Sequence, residues 1–358
     1  MPWAVLGATN ADVIASSRPM LVRVIIERLC LLAYFELRSE SPLELVQQGL
    51  TDPVKLFTKG EPHSETKLAE GRLRQISSVS IVGNTLSRLL FGRQNRKEKS
   101  EWQNGTIPSM CGMGSSDDDL KYLHSVWRQQ GLPNLAEADV SGWDWSVQAW
   151  ELSADVDRRV QLMGAGSNMA RLMHNLVYTM ANKVFQLSDG SLISQVLPGV
   201  LPSGWYCTTT TNSYIRALNA DLVGAEFYRV LGDDSVESYV EGAKEKYLAL
   251  GKRVKFYNRC DTSVEFCSRK WTTDEWQAQL TSWPRTLYRL LSQSAPSPEL
   301  ERQFSYELRH NEGLPYLKEV LLSVGWHGQN HQASHASEED YETDDGTAKS
   351  PVPTGQGC

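Results

Sequence analysis

Apolar and polar residues alternate at helical spacing near the start of the chain. The stretch "MLVRVIIERLCLLAYFEL" is interrupted by Arg23, Glu27 and Arg28, which predicts an amphipathic or core helix and not a membrane span. Residues 1–50 as a whole read as mainly helical. Pro53, Gly60, Pro62 and Gly71 then cut residues 52–80 into loop and short extended pieces. "GRQNRKEKSEWQNG" is polar and expected to be exposed. "AEADVSGWDWSVQAWEL" reads as a short strand, a Ser-Gly turn and a helix, and residues 155–186 as helical. "SLISQVLPGVLPSG" is an extended, turn-punctuated approach to a threonine run. Two apolar, β-prone runs flank Gly232-Asp233-Asp234 and predict a hairpin. A helix follows, ending near Leu250 with Gly251 just past it. "KRVKFY" and "SVEFCSRKW" read as strands, "DEWQAQLTSWPRTLYRLLSQ" and "PELERQFSYELRH" as helices. From about Gly328 the composition is that of a disordered tail. His327, His331 and His335, four apart, fall at its start and are better read as tail residues than as a metal-binding face. No internal repeat is visible.

With 358 residues, 41% of them hydrophobic, and eleven Trp, the chain can bury a large core in two domains or one multi-lobed one. Its net charge of −7 is unevenly spread. From Ser337 onward there are six acids and one Lys, whereas ten Lys/Arg face five Asp/Glu between Asp52 and Lys99. A basic segment in a near-neutral body suits a confined phosphate channel better than a generally sticky surface. The six cysteines show no CxxC spacing, so reduced thiols in a cytosolic setting are expected. No signal peptide is expected.

The charge of Asp233 and Asp234 changes the picture most. Adjacent carboxylates repel, and a hairpin tip can use Asn-Gly at no electrostatic cost. A surface turn is the plain alternative, since Asp and Gly are common there. Gly232 permits close approach of a ligand or of backbone, and a divalent cation, magnesium or manganese, is the obvious compensating charge. Asp139 ends an apolar run, where Asp is unusual in a strand. Asp144 can cap the following helix. If strand and hairpin are neighbours, Asp139 and Asp233 can share two metals. In "SGWYCTTTTN", Thr208 and Asn212 are four apart and would share a face on a helix, whereas the β-branched run by itself favours a strand. Both readings stand at this point. Lys55, Lys59, Lys67, Arg72 and Arg74 make the basic segment. A solvated loop is the default. Arg72 and Arg74 alternate with Leu73 as in a strand, which would aim both guanidinium groups into one cavity for phosphate.

In this order the motifs resemble those of viral RNA-dependent RNA polymerases. Asp139/Asp144 match DxxxxD, Ser203, Gly204, Thr208 and Asn212 match SGxxxTxxxN, and 232–234 supply GDD. Gly251-Lys252, "EFCSRKW" and "TKGEPH…K…GRLRQI" resemble the remaining three motifs, and "DVSGWDWSVQAWE" is similar to the polymerases of sobemoviruses, poleroviruses and barnavirus-like relatives. The resemblance implies an α+β right-hand polymerase. Fingers would occupy 1–134 (basic fingertip 52–80) and 159–198, an antiparallel-sheet palm 135–158 and 199–271, a small helical thumb 272–327 and a tail 328–358. It implies template-directed transfer from ribonucleoside triphosphates to an RNA 3′-hydroxyl. Asp139, Asp233 and Asp234 would hold Mg2+ (Mn2+ as substitute), and Asp144, Thr208 and Asn212 would sense the ribose. Ser203 and Gly204 would shape the backbone by the nascent pair. Lys59, Lys67, Arg72 and Arg74 would grip the triphosphate. Lys252, with Lys255 as rival, would protonate pyrophosphate, and Cys267 and Ser268 would grip the primer. Template, nascent RNA and a genome-linked protein primer are the implied partners, with no transmembrane segment in the chain. The implied location is the host cytoplasm, on membrane-associated complexes through other viral proteins. Two alternatives remain. A reverse transcriptase would carry Tyr or Phe where Leu231 stands. A non-catalytic RNA-binding replication component would bind RNA salt-dependently and need no convergence of Asp139 with Asp233.

Overall fold

The computed structural model describes residues 9–63, 65–293 and 297–323. Thr9 caps the first helix. Its hydroxyl accepts the Asp12 N–H, and the Asp12 carboxylate accepts the Thr9 N–H, a reciprocal capping box. Helix α1 (Asn10–Tyr34) turns Leu21, Ile25, Arg28 and Leu32 inward, the one-face spacing expected of an amphipathic helix. Buried Arg28 forks onto Asp52 at 2.5 and 2.9 Å, and Ser80 donates to the same carboxylate. Burial would raise the Asp52 carboxyl, but Arg28 and Ser80 hold it below the usual range. That ion pair ties α1 to the start of the basic segment.

The first sheet runs β2 (Gln75–Ser78), β1 (Val54–Thr58), β4 (Val184–Gln186), β5 (Leu192–Ser194), with only β1 and β4 parallel. Short helices α2 (Pro42–Gln47) and α3 (Glu65–Ala69) lie around it in sequence. Helix α4 (Ile81–Glu101) follows. The polar run "GRQNRKEKSEWQNG" is mostly exposed, as expected, and is largely the second half of α4, with Gly92, Asn95 and Trp102 buried. Arg, Lys, Glu and Gln are good helix formers, so a helix continues through them. The expected helix over 155–186 is two helices and a strand. Helices α7 (Ala149–Met163) and α8 (Ser167–Ala181) part at Gly164, whose φ of +59° ends the first.

The second sheet is fully antiparallel, in the order β6 (Tyr228–Leu231), β7 (Asp234–Ser238), β3 (Leu135–Val140), β8 (Val254–Arg259). Helix α9 (Thr208–Val223) packs on β6 and β7, and α10 (Ala243–Ala249) packs on β8 and α9. Helix α5 (Asp117–Gln130) supplies Leu120, Leu123 and Trp127 to a core shared with Leu135, Val236, Phe266 and Trp271. The Met110 N–H also bonds the Val230 carbonyl at 2.7 Å. Residues 109–130 thus pack with this sheet, although they fall within the span expected as fingers.

"SVEFCSRKW" is a hairpin and not one strand. Strands β9 (Ser263–Phe266) and β10 (Arg269–Thr272) pair Phe266 with Arg269, and β11 (Gln279–Leu280) adds a third strand. Residues 274–278 are not helical, and α11 (Trp283–Leu291) begins only at Trp283, with Pro284 in its first turn. With α12 (Pro298–Glu307) and α13 (Leu314–Ser323) it closes a small core of Leu280, Leu290, Phe304, Leu308 and Leu321. The segment read as a tail, and His327, His331 and His335, lie outside the described residues. Among the described residues no helix is long and apolar enough to cross a membrane.

Candidate active site

Pairing of Leu231 with Asp234 leaves Gly232-Asp233 as a two-residue turn. Gly232 has φ +63°, the backbone that primed hairpin turns demand at their first central residue. The Ser213 hydroxyl on α9 accepts the Gly232 N–H at 2.8 Å, so the helix fixes the tip. Next door, Ala138 of β3 is the partner of Ser235 of β7. One further step in that register sets Asp139 opposite Asp234, with both side chains on one face of the sheet.

Solvent reaches Asp234, yet protein surrounds it on most sides. That loss of water, then the negative charge of Asp233 and of Asp139, pushes its carboxyl up to about 6, against a hydrogen bond with the Cys267 thiol. Burial also raises Asp144, with Asp233 adding repulsion and the Asn212 hydrogen bond opposing. Asp234 feels the charge of Asp233 and Asp139, and Asp144 that of Asp233, so the four share one negatively charged region without a three-ligand cluster among the described residues. The Lys255 ammonium meets the Asp139 carboxylate at 2.8 Å in a solvent-accessible ion pair.

Lys252 is not in that group. Its ammonium is fully buried, donating to Glu151 at 2.7 Å and to the Ser146 carbonyl at 2.8 Å. This corrects the expectation that it meets pyrophosphate: a lysine sealed against a carboxylate cannot reach a substrate. Of the two lysines considered, Lys255 is the one set on the aspartates.

The threonine run is helical, which settles the reading that sequence left open. Its hydroxyls hold it there. Thr211 donates to Asp155 at 2.7 Å and Thr210 to Asn95 at 3.2 Å, while Arg159 bonds Asp155, Asn95 and Thr210. On another face of α9, Asn212 donates to Asp144 at 3.1 Å and accepts from the Trp143 indole at 2.8 Å. Trp143 and Asp144 lie in α6 (Trp143–Ser146), a single turn and not the start of a long helix. Thr208 is less free to meet a sugar than expected, because its hydroxyl faces the Pro202 and Trp205 carbonyls at 2.6 and 2.8 Å.

Ser203 and Gly204 splice the loop before α9 to β2. The Ser77 N–H donates to Ser203 at 3.0 Å, and the Gly204 N–H to the Ser77 carbonyl at 3.0 Å. A Cβ at Gly204 would stand 2.8 Å from that oxygen, so only glycine fits the approach. Residues 71–74 are not a strand, and the two arginines diverge. Arg72 pairs with Glu70, whereas Arg74 pairs with Glu61 and lowers the Asp144 carboxyl from a distance. Lys59 also pairs with Glu61, at 2.9 Å, and Lys67 lies on α3. Sequence reading missed Ser213 and the Trp143 indole as contributors. Only the packing of α9 on the hairpin and on α6 brings them to their partners, and no local pattern announces that.

A four-stranded antiparallel sheet bearing opposed aspartates, backed by helices and joined to a second sheet carrying basic residues, defines a right-hand polymerase. Solved structures agree on the fold. The RNA-dependent RNA polymerase of a human picorbirnavirus matches with TM-score 0.61 at 11% identity, over 86% of this chain and 70% of that one. The Sicinivirus 3Dpol RNA-dependent RNA polymerase matches with TM-score 0.56 at 15% identity, over 70% and 53%. The sequence model described as viral RNA-directed RNA-polymerase matches residues 2–275. The chain belongs to this family of viral RNA-directed RNA polymerases. It is 47% identical to the replicase polyprotein P2AB of Southern bean mosaic virus, over 82% of this chain and 31% of the polyprotein. It is 35% identical to the RNA-directed RNA polymerase of mushroom bacilliform virus, over 86% and 78%. The chain spans about a third of the length of the P2AB polyproteins it matches.

Proposed function

We propose that this chain carries out template-directed RNA synthesis, with the β3–β7 aspartates as its catalytic centre. The observation that carries the reading is the β3–β7 register, with Ala138 opposite Ser235, whose next step brings Asp139 to Asp234, beside the Asp144–Asn212 pair. Among the described residues no three His, Cys, Asp or Glu side chains form a ready metal cage. The Asp139 and Asp233 carboxylates are hard oxygen donors, which suit magnesium held by one or two carboxylates with phosphate oxygens completing its shell. Asp139 and Asp233 would hold the ions, with Asp234 beside them, and manganese would fit the same oxygens. Bound there, such cations would lower the pKa of the primer hydroxyl and offset the charge of the leaving pyrophosphate.

The remaining roles fall to side chains. Asp144 and Asn212 face the ribose and accept or donate to its 2′-hydroxyl. Arg74, with Lys59 beside it, draws the triphosphate toward the aspartates, and Lys67 and Arg72 contribute to the same positive field. Lys255 leaves Asp139 as substrate enters and protonates pyrophosphate, the role expected of Lys252. The half-exposed pair it leaves is a weak one. Cys267 and Ser268, on the turn beside Asp234, bear on the primer end. The first sheet would be fingers, the second the palm and helices α11–α13 the thumb. In the host cytoplasm the chain would act on membrane-associated complexes through other viral proteins, and a genome-linked protein is a suitable primer.

The test is nucleotide incorporation on a primed RNA template with Mg2+ or Mn2+, by wild type and by Asp233→Ala. Loss of activity in the variant is expected. Near-wild-type activity removes Asp233 from the centre, and preference for deoxynucleotides in wild type replaces the reading with reverse transcription.

A further inference from the structure

A chain of contacts leads from the buried lysine to the ribose-facing pair. Trp143 is 3% exposed. Two buried cations lie over its ring, the Lys252 ammonium 4.9 Å and the Arg216 guanidinium 5.7 Å from its centroid. Each cation is anchored elsewhere, Lys252 on Glu151 and the Ser146 carbonyl, Arg216 on Glu237, Ser235 and the Tyr247 hydroxyl. The Ser146 hydroxyl donates to the Trp143 carbonyl at 2.8 Å. The ring of Trp143 is thus held by two anchored cations and its backbone by the Ser146 hydroxyl, whose own carbonyl Lys252 holds.

The consequence lies at the indole nitrogen. It is a donor only, and it donates to Asn212 Oδ1 at 2.8 Å. The amide oxygen of Asn212 must therefore face Trp143, which turns the amide nitrogen toward Asp144, where Nδ2 meets Oδ1 at 3.1 Å. Without that donor the Asn212 amide can rotate and present its oxygen to the Asp144 carboxylate, a repulsive contact. Among the described residues the Asp144 side chain is bonded through Oδ1 alone, which leaves Oδ2 for a further donor. A ribose 2′-hydroxyl supplies one and a deoxyribose does not.

We propose that Trp143 is a specificity-determining positioning residue: its indole N–H sets the Asn212 amide, and through it Asp144, so that the pair separates ribose from deoxyribose. This rests on the polymerase reading above. Trp143 touches no substrate. It acts through Asn212, and Lys252 and Arg216 hold it in place.

The experiment compares kcat/KM for a ribonucleoside triphosphate and its 2′-deoxy analogue, on one primed RNA template, in wild type, Trp143→Phe, Asn212→Ala and the double variant. Phenylalanine keeps an aromatic ring and deletes the donor. The ribo-to-deoxy ratio should fall about tenfold in Trp143→Phe, as expected for one lost hydrogen bond, chiefly through the ribonucleotide. In the Asn212→Ala background the same change should leave the ratio unaltered. Equal losses for both substrates, or effects that add in the double variant, overturn the inference while leaving the polymerase reading intact. A wild type that incorporates no nucleotide overturns both. Circular dichroism checks folding. If Trp143→Phe does not fold, replacing Trp143 by 3-benzothienylalanine, which keeps the bicyclic ring and lacks the N–H, carries the test. The ratio should fall likewise, and an unchanged ratio overturns the inference.

Discussion

Two regions of this molecule concentrate charge and treat it in opposite ways. Behind α9, Asp155 is buried and met on every side, by Arg159 at 2.8 Å, Arg158 at 2.6 Å and Thr211 at 2.7 Å. Burial would raise its carboxyl, but the two arginines hold it below the usual range. On the sheet, Asp234 is pushed up to about 6 by the surrounding protein and by Asp233, with no cation bonded to it among the described residues. The same residue type thus shifts in opposite directions within one domain. A carboxylate neutralised in place is part of the architecture. One left in negative company is poised for a ligand that brings positive charge.

The largest test of that contrast is Asp139→Ala. Nucleotide incorporation should fall by about a thousandfold or more, as for removal of a group that stabilises transition-state charge, while the melting temperature holds or rises because repulsion is relieved. A steep loss of stability instead would make Asp139 architectural. Asp155→Asn should do the reverse, costing about 3–5 kcal/mol because Arg159 is left buried without its counter-charge; chemical denaturation measures it. The same group has a pH signature. Its folded carboxyl lies below the unfolded value, so its stabilisation is complete above the unfolded pKa of about 3.9 and is lost as pH falls through the folded one. Wild type should weaken on acidification there and Asp155→Asn should not show that component.

Magnesium should stabilise wild type by about 1.4 kcal/mol at ten times its dissociation constant, read as a rise in melting temperature, and should do little for Asp233→Ala. An equal rise in both would place the cation elsewhere. The smallest effect concerns the turn that brings Cys267 to Asp234. Cys267 and Ser268 hold φ of +52° and +59°, a left-handed pair that costs side-chain-bearing residues about 1–2 kcal/mol each. Ser268→Gly should recover about 0.5–1 kcal/mol net of its own chain entropy. A loss of stability would mean that the Ser268 side chain contributes more than its backbone costs.

Much was legible before folding. The Gly232 turn, the strand and Ser-Gly turn at Asp139, the α1 stripe and the helix stop at Gly251 are written in local periodicity and in residues with restricted or permissive backbones, whereas the helix expected from Asp144 is one turn with Gly142 at its cap. The order of the motifs was sufficient to point to the family. Other features were out of reach. Four threonines favour a strand until Arg159, Asp155 and Asn95 accept and donate to their hydroxyls. Lys252 and Lys255 are three residues apart on similar ground, yet one is sealed against Glu151 and the other reaches Asp139, 116 positions away in the chain. Sequence determined which elements form and which groups carry charge, because propensity and hydrophobic period are local. Which partner each long polar side chain meets was decided only by the packing of α6, α7 and α9 behind the sheet. Burial there makes one pairing far cheaper than an unpaired charge, and nothing along the chain encodes the direction from which that partner comes.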